Sequence, residues 1–179
     1  VILLILVITF FLPSKIHVER TGLVKSSPET TYQLINNLED WNKWSPWHRL
    51  DPNMKITYGA SKEGKGSFYE WKSADDQVGN GKLTISEAKP VEYIKTEMNF
   101  MDNGTATGEF FLRPVEGGTE VKWTMDSDMG MNPIGKIMGL FMDKWVGGDY
   151  EKGLHYLDSV SQLQKPATTK MDLELSRVE

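Results

Sequence analysis

The sequence contains no cysteine, and this absence removes several kinds of chemistry. A chain without cysteine forms no disulfide bond, offers no thiolate nucleophile and provides no sulfur ligand to a metal. It tolerates either side of a membrane, so the redox compartment stays open. The three histidines, His17, His48 and His155, are widely separated and in no metal-ligand spacing. The sequence therefore predicts neither a metal site nor a bound cofactor.

Runs of basic residues are also missing. The 20 Lys and Arg residues are interspersed among 25 Asp and Glu residues, which gives a formal net charge of -5. A nucleic-acid-binding protein usually concentrates its Lys and Arg on one face, so we expect no nucleic-acid partner. The 179 residues show no internal repeat, and this length fits one domain with a hydrophobic core.

One long hydrophobic run is present, over residues 1–12, and it stops at Pro13-Ser14-Lys15. Twelve helical residues rise only about 18 Å, whereas the hydrocarbon core of a bilayer is about 30 Å thick. The sequence does not begin with Met, so we expect residues 1–13 to be a truncated transmembrane or signal-anchor segment. It would attach the protein to a membrane as a single-pass anchor, with the side of the membrane undetermined. The alternatives are a signal-peptide core or a buried first strand.

Apolar and polar residues alternate in seven segments between residues 16 and 128, and turn residues separate the segments. This pattern predicts seven antiparallel strands. After the first strand, Ser27 and Pro28 fit the start of a short helix, and residues 38–47 predict a second short helix broken by Pro46. The parity of the alternation assigns one set of side chains to the inner face of the sheet: Met54, Ile56, Tyr58, Tyr69, Trp71, Leu83, Ile85, Ile94, Thr96, Met98, Phe100, Phe110, Leu112, Val121, Trp123 and Met125.

A long helix is predicted after the last strand, with Asn132 as its N-cap and an end near Gln164. We expect Gly147-Gly148 to loosen or bend it. Antiparallel sheets commonly bury one face, so the sheet should curve around this helix. Apolar residues at three- and four-residue spacing form a stripe that we expect to face the sheet: Ile134, Ile137, Met138, Phe141, Met142 and Trp145.

Four segments carry a resemblance to a known family: Ser26-Ser27-Pro28-Glu29-Thr30-Thr31-Tyr32, Trp41-Asn42-Lys43-Trp44-Ser45-Pro46-Trp47, Gly118-Thr119-Glu120-Val121-Lys122-Trp123 and Leu140-Phe141-Met142-Asp143-Lys144. In this order they resemble the START-like superfamily, also known as SRPBCC or polyketide cyclase/dehydrase and lipid-transport proteins, and in particular its membrane-anchored bacterial subset. The resemblance implies an α+β helix-grip fold over residues 14–164. In that fold a curved seven-stranded antiparallel sheet wraps on a long C-terminal helix, with two short helices after the first strand. Residues 165–179 are predicted to be a linker or tail, either the start of a missing second domain or a frayed polar end.

The resemblance also implies a ligand cavity between the sheet and the C-terminal helix, without identifying the ligand. Since no reactive constellation is visible, we expect non-catalytic binding of a hydrophobic or amphipathic small molecule, such as a lipid or an aromatic metabolite. No catalytic residue is predicted. The predicted lining combines flexible methionines with large aromatic faces: Trp44, Trp47, Tyr69, Trp71, Met98, Phe100, Phe110, Trp123, Met125, Met138, Phe141 and Met142.

Two other functions remain open at this stage. A polyketide cyclase-like or hydrolytic enzyme would use polar groups in the cavity, such as Tyr69, Thr96 and His48. A sensor or interaction domain with a vestigial cavity would fill the same space with side chains, since such residues also suit a packed core. Asp126 and Asp128 lie two apart on the last strand, but their parity points them away from Trp123.

Overall fold

The structure is a computed structural model, and it describes residues 9–101 and 104–164. Residues 1–8 of the predicted membrane segment and the predicted tail, 165–179, lie outside the described residues. The strands are β1 (Lys15–Val24), β2 (Lys55–Tyr58), β3 (Phe68–Lys72), β4 (Asn80–Lys89), β5 (Tyr93–Asn99), β6 (Thr105–Val115) and β7 (Gly118–Asp128). The helices are α1 (Pro28–Asn36), α2 (Trp41–Trp44), α3 (Pro46–Leu50) and α4 (Pro133–Ser161).

The seven strands form one antiparallel sheet in the order β1-β7-β6-β5-β4-β3-β2. The first strand therefore pairs with the last one. Strand parity is confirmed, because the predicted inner positions are buried or half-buried and most of their neighbours are more exposed, as Ile94, Phe110 and Val121 illustrate at 0% exposure. The sheet and the long C-terminal helix confirm the predicted α+β helix-grip fold.

The short helices cover part of the inner face of the sheet. Helix α1 begins as predicted, since the Thr30 backbone N–H donates to Ser27 Oγ at 3.2 Å and Pro28 occupies the first turn. The predicted second helix consists of two pieces, α2 and α3, because Pro46 cannot continue the first piece and instead starts the next one. The inward side chains of α1, α2 and the link between them are buried in the core: Leu34, Ile35, Leu38, Trp41 and Trp44.

Helix α4 is continuous from Pro133 to Ser161, and its N-cap is the predicted one. Asn132 Oδ1 accepts hydrogen bonds from the backbone N–H groups of Ile134 and Gly135 at 3.1 and 3.2 Å. Gly147-Gly148 do not interrupt the helix, and the bend expected there stays a prediction. Gly147 packs beneath the guanidinium of Arg20, and a Cβ at this position would overlap that group. The glycine thus permits close packing against β1 without interrupting the helix.

The rotation of α4 about its axis differs from the prediction. Its first half approaches the sheet through small residues, and a Cβ added to Gly139 would come within 2.9 Å of Ile16 Cδ1. Its second half is fixed by Tyr150, which stacks on Trp123. The apolar stripe is consequently turned away from the sheet, with Met138 and Phe141 49% and 48% exposed. The prediction that the whole stripe meets the sheet is wrong, and only Met142 within it is partly covered by the core.

Arg20 joins β1 to α4 through two carboxylates. Its guanidinium donates to Asp143 Oδ1 at 2.9 Å and to Glu151 Oε1 at 2.7 Å, and it also donates to the Asp143 carbonyl at 3.1 Å. The hydrogen bond from Arg20 lowers the pKa of the Asp143 carboxyl. Because three acceptors on α4 share one rigid donor group, this cluster positions the helix over the first strand.

Replacement of Arg20 by Met is expected to lower the free energy of unfolding by about 1–2 kcal/mol. The Arg20 side chain is 25% exposed and bridges two elements, whereas Arg113 pairs with Glu120 on the surface and is 70% exposed. The matched change Arg113→Met should therefore cost less than about 0.5 kcal/mol. Urea denaturation of both variants measures the difference, and equal losses would contradict this role of Arg20.

Candidate functional site

A stack of aromatic rings fills the centre of the inner face. Trp123 on β7 stacks on Tyr150 of α4 with ring centroids 3.7 Å apart, and on Phe110 of β6 at 4.8 Å. The rings of Trp41 and Trp44 meet Trp123 edge-on at 6.5 and 5.7 Å. We call these five residues the aromatic stack. The indole N–H groups of its α2 tryptophans donate to backbone carbonyls of α1, which fixes these two rings in the stack.

Half-buried apolar side chains of α3, β5 with its end, and α4 pack against the core that contains the aromatic stack, and we call them the apolar mouth. They are Trp47 of α3, Met98 and Phe100 of β5 and its end, and Met142 and Val146 of α4. Trp47 lies 6.0 Å from Trp123 and 6.2 Å from Tyr150, measured between ring centroids. Met142 and Val146 precede Tyr150 at four-residue spacing, so all three share one side of α4. The mouth is apolar surface that touches the core and remains partly open to solvent.

Two buried polar side chains lie beside these aromatic residues. Ser45 Oγ and both ring nitrogens of His48 have no hydrogen-bond partner among the described residues. The His48 ring is 6.2 Å from the ring of Tyr69, and burial lowers the pKa of His48 to about 4. At neutral pH this imidazole is uncharged and can both donate and accept a hydrogen bond. Buried polar groups usually have partners, so this pair suits a water molecule or the polar end of a ligand.

The other polar residues considered from sequence are placed differently. Thr96 Oγ1 donates to the Gly108 carbonyl at 3.1 Å and is therefore occupied within the sheet. Burial raises the pKa of Tyr69, which keeps its phenol protonated at neutral pH. His17 lies on the outer face, where its Nδ1 is 2.8 Å from Asp126 Oδ1. The arrangement therefore supplies one neutral imidazole beside one neutral phenol on the inner face.

A separate open groove of about 740 Å³ crosses five strands at one end of the sheet. Most of its side chains have the outward parity, so it lies on the face away from α4. Its walls carry both signs of charge: Lys15, Ile16, Lys82, Thr84, Glu97, Met98, Asn99, Thr105, Ala106, Thr107, Asp126, Ser127 and Asp128. Hydrogen bonds from the Gly130 backbone and from Ser14 lower the pKa of Asp128, which keeps it ionised. Among the predicted cavity residues, the groove includes Met98.

The twelve predicted cavity residues fall into three environments, and their role in binding stays a prediction. Six are buried in the core: Trp44, Tyr69, Trp71, Phe110, Trp123 and Met125. Four are half-buried: Trp47, Met98, Phe100 and Met142. Two, Met138 and Phe141, are exposed on α4. The sequence did not identify Ser45 as a buried polar residue of the site, since a serine before a proline is typical of a helix N-cap. It also missed Val146, since that residue lies off the predicted stripe.

Within the described residues, no group of three His, Asp or Glu side chains is arranged to hold a metal ion. Of the helices in the described part of the chain, none is long and apolar enough to cross a membrane.

Several solved structures share this fold at low sequence identity. The protein of unknown function SA2116 from Staphylococcus aureus superposes with a TM-score of 0.62 at 17% identity, over 84% of this chain and 97% of that one. Protein CV1439 from Chromobacterium violaceum gives 0.59 at 14% identity, over 82% and 97%. The di-domain ARO/CYC StfQ from the steffimycin biosynthetic pathway gives 0.61 at 9% identity, over 83% of this chain and 51% of that one. These likenesses establish the fold.

No curated protein matches the sequence. A family model does match, over residues 15–162, and it spans the sheet, the short helices and α4. On that match the chain belongs to the family described as polyketide cyclase / dehydrase and lipid transport.

Proposed function

We propose that the protein binds a hydrophobic or amphipathic small molecule, such as a lipid or an aromatic metabolite, without changing it chemically. The apolar mouth is the observation that carries this proposal. Its side chains come from α3, β5 and α4 and stay half-buried, so an apolar molecule covering them would remove further apolar surface from water. The family description, which includes lipid transport, supports the same class of ligand.

The unpartnered groups of Ser45 and His48 favour an amphipathic ligand over a purely apolar one. Both are buried near the aromatic rings, where a hydrogen bond is worth more than in water. A hydroxyl or carbonyl group on the ligand can pair with the neutral imidazole of His48. A ligand with an apolar body and one such polar group satisfies the mouth and the imidazole together.

The change Met142→Gln is expected to raise the Kd for the fluorescent amphiphile 1-anilinonaphthalene-8-sulfonate about tenfold. Burying a Met side chain is worth about 1.5–3 kcal/mol, and a tenfold change in Kd corresponds to about 1.4 kcal/mol. Met138 lies one turn earlier on the same helix, outside the apolar mouth, and is 49% exposed. The matched change Met138→Gln should therefore alter the Kd less than about twofold. A fluorescence titration gives both constants.

Binding that is insensitive to Met142→Gln, or equally weakened by both changes, would contradict a ligand site at the apolar mouth. Native mass spectrometry of the purified full chain gives an independent readout. We expect a co-purifying apolar molecule that is displaced by the fluorescent amphiphile. If neither a co-purifying molecule nor any bound probe is found, the binding function itself is abandoned.

Attachment to a membrane through the N-terminal segment is a further part of the proposal. Its support is the apolar run over residues 1–12 of the sequence, which resembles the start of membrane-anchored members of the family. Flotation of the full chain with phosphatidylcholine vesicles tests it, and a chain that stays at the bottom of the gradient contradicts it.

An enzymatic function is the second candidate, and the buried His48 favours it. A neutral imidazole without a partner can act as a general base, and Tyr69 is the nearest phenol in ring contact with it. The similar fold of the ARO/CYC protein StfQ is compatible with this chemistry. Mass spectrometry of the co-purifying molecule after incubation with wild type and with His48→Phe distinguishes the two functions. A product formed only by wild type would favour the enzyme.

The third candidate is an interaction domain with a vestigial cavity. One observation favours it, since the aromatic stack fills the centre of the inner face with protein side chains. The apolar mouth beside the stack argues for binding instead. The titration that locates the probe therefore also separates these two functions.

A further inference from the structure

The first half of α4 carries apolar side chains on the side that faces away from the sheet. We call these residues the outer stripe: Ile134, Ile137, Met138, Phe141 and Trp145. Their exposure ranges from 38% at Ile137 to 70% at Ile134, and the stripe is about 16 Å long. In the second half of the same helix the exposed positions are polar, namely Glu151, Lys152, His155 and Ser159. An apolar surface of this extent is unusual on a monomeric protein and marks an interaction site.

The N-terminal part of the chain reaches the domain at the same end of α4. Phe10 and Phe11 are 66% and 80% exposed, and Lys136 Nζ donates to the Phe10 carbonyl at 3.4 Å. In the sequence, residues 1–8 before this contact are all apolar. Phe10 is thus held at the beginning of α4, where the outer stripe also begins, although more than a hundred positions separate the two along the chain.

We propose that the outer stripe of α4 lies in the interfacial layer of a lipid bilayer, with the helix axis along the membrane surface. This surface is distinct from the ligand site and from the N-terminal attachment. An interfacial helix buries one apolar face to a depth of about 5–10 Å and keeps its other face in contact with polar groups. The outer stripe supplies the apolar face, and the opposite side of α4 is covered by the sheet of its own domain.

The chemistry of the stripe fits a lipid surface. Phe141 and Trp145 stack on each other with ring centroids 5.6 Å apart, and aromatic side chains are preferred at the level of lipid headgroups. Lys144 is exposed next to Trp145, and its long side chain can reach toward phosphate groups while its stem stays in the apolar layer. A second copy of the chain would also cover the stripe. The bilayer is favoured because the exposed Phe10 and Phe11 lie at the same end of α4 and follow an all-apolar stretch of the sequence, residues 1–8.

The absence of cysteine permits a direct test in the full chain. Single cysteines are introduced as Phe141→Cys on the outer stripe and as His155→Cys on the exposed polar side of the same helix. Each is labelled with the fluorophore NBD and mixed with vesicles of phosphatidylcholine and phosphatidylglycerol. On vesicle binding we expect a blue shift and at least about a twofold rise in NBD emission at position 141, with quenching by brominated lipids. Position 155 should show neither change.

Three results would overturn the proposal. The first is a chain that floats with vesicles while the label at position 141 stays as exposed to water as the label at position 155. The second is a rise in emission at position 141 with protein concentration alone, because a second copy then covers the stripe. The third is a chain that does not bind vesicles. Trp145→Cys provides a second stripe position if Phe141→Cys folds poorly. Each of these results is distinguishable from a failure of the ligand titration, which is done without vesicles.

Discussion

Replacing Trp123 with alanine is expected to lower the free energy of unfolding by about 3–5 kcal/mol. The indole is 2% exposed and contacts both the sheet and α4, with Tyr150 stacked on one side and Phe110 on the other. Its removal leaves a cavity that neighbouring rings cannot fill, because they are held by their own packing and, in α2, by hydrogen bonds. Guanidinium denaturation followed by far-ultraviolet circular dichroism measures the loss.

Trp145→Ala is the matched control for this prediction. The Trp145 side chain is 51% exposed on the outer stripe, so its truncation removes little buried surface. We expect a cost below about 1 kcal/mol in vesicle-free solution. Similar losses for the two variants would mean that α4 is rotated relative to the structure. They would place the stripe against the sheet after all.

Acidification is expected to destabilise the protein through His48. Its pKa is about 4 in the folded state because burial disfavours the charged imidazole, against an ordinary value of 6.5. The unfolded state therefore binds this proton more readily. With respect to His48, the protein therefore keeps its full stability above about pH 6.5 and loses stability progressively as the pH falls toward about 4. The total corresponds to about 3 kcal/mol, of which about 2 kcal/mol is lost between pH 7.5 and about pH 5.

His48→Phe should remove this part of the pH dependence while retaining an aromatic ring beside Tyr69. At neutral pH the variant should be at least as stable as wild type, since it deletes two buried nitrogens that lack partners among the described residues. His155→Gln changes an exposed histidine and should leave the wild-type pH profile in place. Urea denaturation at several pH values gives the comparison. A wild type and a His48→Phe variant with the same pH dependence would show that His48 is solvated or hydrogen-bonded to a bound molecule.

The strands and their inner face were predictable from sequence because side chains alternate with a period of two. Once Val121 and Trp123 are assigned to one face, the alternation assigns the other residues of β7. The register then places the paired residues of β6 on the same face as their partners. Cap chemistry was equally local, since Ser27 and Asn132 accept hydrogen bonds from the next turn. These features depend on residues that are close together in the chain.

The orientation of α4 was not predictable, because its first half is apolar around much of its circumference. Helical spacing identified the outer stripe but contained no information on which side meets the sheet. That choice depends on Gly139, whose missing side chain allows a close approach to Ile16 of β1, and on the ring of Tyr150 over Trp123. These contacts form only when segments that are distant in the chain are brought together in the fold.

The candidate site was only partly predictable for a related reason. The aromatic and methionine residues of the strands were correctly assigned to the inner face, but sequence cannot separate a packed stack from a half-open mouth. The difference between buried Trp44 and half-buried Trp47 is set by how α3 turns after Pro46. The outer groove depends on the twist of five strands, which no single segment encodes.

The pairing of β1 with β7 has a consequence for how the protein is made. β1 lies at the edge of the sheet, and its partner strand is synthesised roughly a hundred residues later. At about 5–20 residues per second, β1 waits about 5–20 s on the ribosome with unpaired backbone groups. It also lacks α4, to which Arg20 attaches it. The domain therefore closes as one unit at the end of translation instead of growing from its N-terminus.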